Sequence, residues 1–105
     1  MPALLRSGVG ETGMRLTVGF YCGVARRLGK ETEVSLDVAD RATLRDVSAA
    51  LAARFPAFVG PLLAPGTFEL VAPHFFSIDG RRVASLDVET HEGDRILLLA
   101  VTAGG

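Results

Sequence analysis

Arg95-Ile96-Leu97-Leu98-Leu99-Ala100-Val101-Thr102-Ala103-Gly104-Gly105, at the end of the sequence, is the stretch that decides the fold. If residues 95–101 are extended, Ile96, Leu98 and Ala100 line one face and Leu97, Leu99 and Val101 the other. A strand that is apolar on both faces belongs in the middle of a sheet. One face is covered by a packed layer, and the other by the rest of the chain or by a docked partner. Thr102-Ala103 is a short spacer, and Gly104 and Gly105 carry no Cβ, so this tail can extend, turn through positive φ and enter a channel too narrow for side chains. The Gly105 carboxylate is therefore the first candidate for a reactive group, with Gly104, Ala103 and Thr102 as the segment that threads it. At average glycine usage a terminal Gly-Gly arises by chance in about 0.5% of chains, so the dipeptide needs support from what precedes it. Without that support it reads as a frayed end.

Upstream, His74-Phe75-Phe76-Ser77-Ile78 reads as a strand, Asp79-Gly80 as a two-residue hairpin turn and Arg81-Arg82-Val83 as the returning strand. Leu44, Val47, Leu51 and Phe55 recur every three or four residues, one stripe of a helix. Thr43 with Asp46 three residues on resembles a capping box, and Phe55-Pro56 stops the helix because a residue before proline avoids the α region. Between helix and hairpin, residues 57–73 predict a long irregular connection packed over an edge of the core. Near the start, Leu16, Val18, Phe20 and Cys22 alternate with Thr17, Gly19 and Tyr21, and Thr32, Val34, Leu36 and Val38 share one side of a second strand. The spacing predicts that these strands pair as a hairpin across a short connection containing Gly29. The helix stripe then faces the sheet, giving a single-domain α+β fold of about four to five strands on one main helix.

Gly8-Val9-Gly10-Glu11-Thr12-Gly13 matches the dinucleotide fingerprint in spelling only. That motif needs a strand before it and a helix after it, and here a strand follows. Met14 reads as an alternative start, so residues 1–13 are expected to form a flexible extension and 14–105 the working domain. Eleven basic against twelve acidic residues, a net charge of −1, give no general attraction for nucleic acid or an anionic membrane. Only Lys30 is a lysine, which makes the chain a poor lysine-directed acceptor. Cys22 alone cannot form an internal disulfide and reads as a small buried hydrophobe in a strand. His74 and His91 are the only histidines, and neither sits in a metal-ligand spacing, so no metal site is expected. No apolar run is long enough to span a bilayer and no signal-peptide pattern opens the sequence, so a cytoplasmic location is expected.

Taken together, Phe20-Tyr21-Cys22-Gly23-Val24-Ala25-Arg26-Arg27-Leu28-Gly29, Ala42-Thr43-Leu44-Arg45-Asp46-Val47, Phe76-Ser77-Ile78-Asp79-Gly80-Arg81, Glu92-Gly93-Asp94-Arg95-Ile96 and the terminal Ala100-Val101-Thr102-Ala103-Gly104-Gly105 resemble the MoaD/ThiS family of β-grasp, ubiquitin-like sulfur carriers. The resemblance covers about residues 14–105 and lies nearest the molybdopterin synthase small subunit. It implies a carrier rather than an enzyme. A ubiquitin-activating-type adenylyltransferase (MoeB-like) would use ATP and magnesium to adenylate Gly105, and a sulfurtransferase would then leave a thiocarboxylate. The large molybdopterin synthase subunit (MoaE-like) would accept the tail and carry the catalytic side chains, with cyclic pyranopterin monophosphate receiving the sulfur. No cofactor would be bound by the chain itself. Phe20, Phe75, Leu97, Leu99 and Val101 are the implied partner-facing residues. The proline pair common before the tail in such subunits is replaced by Leu99-Ala100-Val101. A carrier for cysteine, thiamine or transfer-RNA thiolation, a ubiquitin-like protein modifier, and an interaction module without tail chemistry remain the alternatives.

Overall fold

The computed structural model describes residues 13–100. The elements run β1 (Gly13–Phe20), α1 (Gly23–Gly29), β2 (Glu33–Ala39), α2 (Leu44–Arg54), a 3-10 turn (Pro56–Phe58), β3 (His74–Ile78), β4 (Arg81–Val83) and β5 (Arg95–Ala100). The five strands form one mixed sheet in the order β2-β1-β5-β3-β4. β5 is central, as its two apolar faces require, parallel to β1 and antiparallel to β3. Residues 1–12 of the expected extension lie outside the described residues, and Gly13, its last residue, opens β1.

Register explains the core. Val34, Val18, Ile96 and Ile78 stand opposite one another across four strands, and Phe20, Leu98, Phe76 and Val83 form the next row. Period-two alternation sends all of them to one face, where Leu16, Val18, Phe20, Phe76, Ile96 and Leu98 are fully buried. α2 covers that face with Leu44, Val47, Ser48, Leu51 and Ala52. Its start is the expected reciprocal cap: the Thr43 N–H donates to Asp46 Oδ2 at 2.9 Å and the Asp46 N–H to Thr43 Oγ1 at 3.4 Å. The first-turn N–H groups of Leu44 and Arg45 are taken by the carbonyls of Val88 and Leu86 (3.0 and 2.9 Å), which ties residues 86–88 to the helix.

The connection 57–73 does pack on the core: Phe58, Leu62 and Leu63 are fully buried, and bridges join Val59 to Leu63 and Leu63 to Leu70. One expectation is corrected. β1 and β2 do pair antiparallel, but helix α1 stands between them where a short connection was expected. Cys22 is therefore the residue before α1, 7% exposed, and not part of a strand. α1 is drawn against the sheet by close approach: a Cβ on Gly29 would stand 3.1 Å from Phe20 Cε2 and 3.4 Å from Phe58 Cζ.

Candidate functional site

The second face of the sheet carries no layer among the described residues. Alternation places Arg15, Thr17, Gly19 and Tyr21, then Arg95, Leu97 and Leu99, then Phe75 and Ser77, and Arg82 on this side. The face is divided chemically. Its far half is charge-matched, with Arg15 Nε on Asp37 at 3.0 Å and Arg95 Nη2 on Glu33 at 3.3 Å. The hydrogen bond from Arg15 to Asp37 and the attraction of that carboxylate push the guanidinium pKa further up.

The near half is apolar. Leu97, Leu99 and Phe75 are half-buried, and Tyr21 is 54% exposed. Gly19 lets these side chains lie low, since a Cβ there would stand 3.1 Å from Tyr21 Cε1 and 3.2 Å from Leu97 Cδ2. The Tyr21 N–H donates to the Leu98 carbonyl at 2.9 Å, which sets the ring beside β5. Two guanidiniums border the patch: Arg82 Cζ lies 4.4 Å from the Phe75 ring centroid and Arg26 Cζ 5.8 Å from that of Tyr21. Arg26 is held by donating Nε–H to the Phe20 carbonyl at 2.8 Å.

Because β5 runs parallel to β1, its end at Ala100 leaves the sheet at the end where β1 closes on Phe20 and Tyr21. Ala100, the last residue of β5, therefore lies beside this patch. Val101, Thr102, Ala103, Gly104 and Gly105 lie outside the described residues.

Of the implied partner-facing residues, Phe75, Leu97 and Leu99 come together on the open face. Phe20 does not. It is 0% exposed and packs edge-on against Phe55 (centroids 5.6 Å) and Phe58 (5.5 Å), so it is a core residue. Its neighbour Tyr21 takes the exposed place, with Arg26 and Arg82. The period-two alternation of Phe20 and Tyr21 was the available signal. His74 Nδ1–H donates to the Val71 carbonyl at 2.8 Å, and His91 Nδ1 stands 3.7 Å from Asp94 Oδ2. Among the described residues no three His, Cys, Asp or Glu side chains gather as metal ligands, and no helix is long and apolar enough to cross a membrane.

No family model matches the chain, and no curated protein matches it either. Solved structures do. The chain is similar to SAMP1 from Haloferax volcanii (24% identity, TM-score 0.73, over 87% of this chain and 99% of that one). It is also similar to a putative molybdopterin converting factor, subunit 1, from Pyrococcus furiosus (21%, 0.70, 85% and 99%). A third likeness is to a chain of the BexX/CysO complex from Amycolatopsis orientalis (22%, 0.65, 86% and 99%). The strand order and this likeness define a small ubiquitin-like β-grasp fold, as the sequence predicted.

Proposed function

We propose that this chain is a ubiquitin-like sulfur carrier, and that its finer role is that of the small subunit of molybdopterin synthase. The observation that carries the reading is the end of the central strand of a β-grasp sheet: β5 finishes at Ala100 beside an uncovered apolar patch, and in the sequence Gly104-Gly105 follow it by a few residues. The structural likeness to a putative molybdopterin converting factor supports the finer role, and the likeness to a chain of the BexX/CysO complex supports a carrier that works against partners.

The chemistry needs little from the chain except access. A carboxylate is a poor electrophile, so Gly105 attacks the α-phosphorus of ATP on the adenylating partner, pyrophosphate leaves and an acyl adenylate forms. A persulfide sulfur displaces AMP, and reduction by a thiol leaves the thiocarboxylate, which delivers sulfur to cyclic pyranopterin monophosphate in the large subunit. ATP and magnesium belong to the partner. Tyr21, Phe75, Leu97 and Leu99 seat the carrier, and residues 101–105 supply the reach. A protein modifier is the second reading, supported by the likeness to small archaeal modifier protein 1. In that case a lysine of a target replaces the persulfide and an isopeptide forms.

Reconstitution tests this. Incubation with an adenylating partner, ATP and a sulfur donor should add about 16 Da, the exchange of one oxygen for sulfur. A single alanine appended after Gly105 should abolish the gain and leave the melting temperature unchanged. No gain with a partner proven active on another carrier contradicts the proposal, and isopeptide adducts in place of sulfur transfer favour the modifier.

A further inference from the structure

β4 is an edge of the sheet, and β3 bonds it on one side only. The turn residues Asp79 and Gly80 both have positive φ (53° and 80°), and a two-residue loop of this kind makes Ile78 and Arg81 the first mutually bonded pair. Bonded and non-bonded pairs alternate in an antiparallel ladder, so Phe76 and Val83 exchange hydrogen bonds while Ser77 and Arg82 do not. The N–H and C=O of Arg82 therefore point away from β3. No turn or loop bond among the described residues takes them up.

Beside this edge runs a groove of about 400 Å³, with Leu70, Phe76, Val83 and Leu86 among its lining and Arg45 at its rim. Its far wall is fixed in place, because the Arg45 N–H holds the Leu86 carbonyl at 2.9 Å. Charge then selects the occupant. Arg45 is already shared between Asp87 (3.3 Å) and Glu69 (3.8 Å), whereas Arg81 and Arg82 make no ion pair among the described residues. A second copy would set arginine opposite arginine, which opposes self-pairing. The other edge, β2, offers no such complementarity, since Glu33 and Asp37 are matched by Arg95 and Arg15.

We infer that the β4 edge accepts an extended, acidic segment of a partner protein by strand addition. The added strand pairs its main chain with Arg82 and sets carboxylates opposite Arg81 and Arg82. It places one apolar side chain opposite Val83, in the groove. Arg82 also borders the apolar patch of the open face, over Phe75, so the two surfaces adjoin, but the inference does not depend on the tail chemistry.

The test is a titration of the full, ¹⁵N-labelled chain with the blocked hexapeptide Thr-Val-Glu-Glu-Thr-Thr at millimolar concentration, followed by amide shifts and hydrogen exchange. The largest shifts are expected at residues 81–86 and Leu70, with exchange slowed at Arg82. A control peptide with lysines for the glutamates should not bind. Arg82→Pro removes the outward donor at an edge position that tolerates proline, and it should weaken binding about tenfold or more. The double charge reversal Arg81→Glu with Arg82→Glu keeps the test open if that variant fails to fold. It should reject the acidic peptide and accept the lysine one. Absence of shifts, shifts centred on β2 or on Tyr21, Leu97 and Leu99, self-association through β4, or binding indifferent to both variants would overturn the inference.

Discussion

Phe20→Ala separates a core role from a docking role at the position where the family pattern and the structure disagree. The ring is fully buried and makes two edge-to-face contacts, with Phe55 and Phe58, while Phe55 and Phe58 stack on each other at 4.8 Å. Removing a buried phenylalanine costs about 3–5 kcal/mol through lost transfer energy and the cavity left behind. Part of that is geometric, since each aromatic pair contributes about 0.5–1.5 kcal/mol beyond area. Phe20→Leu, which keeps most of the volume but loses both ring contacts, should therefore cost about 1–3 kcal/mol. Urea unfolding followed by far-ultraviolet circular dichroism measures both. The midpoint should fall in the order wild type, Leu, Ala, with an unchanged slope. For a domain whose total stability is on the order of 5–15 kcal/mol, the alanine variant sits near the limit of folding, so the leucine variant is the cleaner arm. At a temperature where it remains folded, its activation by an adenylating partner should match wild type. A cost below about 1 kcal/mol together with lost activation would show that Phe20 meets the partner and would refute the packing argument.

Three further outcomes follow from the same contacts. Thr43→Ala and Asp46→Ala each break the reciprocal cap of α2 and should cost about 1 kcal/mol in urea unfolding; the double variant should cost less than the sum, because both remove one motif. Ser48 Oγ is buried on α2 without a hydrogen-bond partner among the described residues, so Ser48→Ala should stabilise by about 1 kcal/mol through relief of an unpaired hydroxyl and better helix propensity, read as a raised thermal midpoint. Leu99→Ala on the open face should cost only about 1–2 kcal/mol in stability, yet reduce thiocarboxylate formation about tenfold at limiting adenylating partner, measured by intact mass.

The parts of the fold that were legible in the sequence are those whose physics is local. The α2 stripe, its Thr43–Asp46 cap and its stop at Pro56 depend on neighbours within four residues, as does the Asp79-Gly80 turn. The central position of β5 was legible because a strand apolar on both faces has few other places to go. α1 was not. Its seven residues are bounded by glycines, and only Ala25 and Gly29 are fully buried, so no helical stripe distinguishes it from a loop. The parallel pairing of Val18 with Ile96 links positions far apart in the chain and has no local signature. Much of the site was legible: Phe75, Leu97 and Leu99 follow from alternation, and so does Tyr21 in place of Phe20, whose ring is closed in by Phe55 and Phe58 from the far end of α2 and the turn after it. The guanidiniums over Tyr21 and Phe75 were not foreseen, because only the folded register brings Arg26 and Arg82 to that face.

The central claim is that the Gly105 carboxylate is the working end of the molecule. Intact mass spectrometry of the chain purified from its own cells tests it most directly. A population heavier by about 16 Da, with the extra mass confined to the C-terminal fragment, is the expected result. A plain carboxylate on every molecule, in cells where the adenylating partner is present and active, would contradict it.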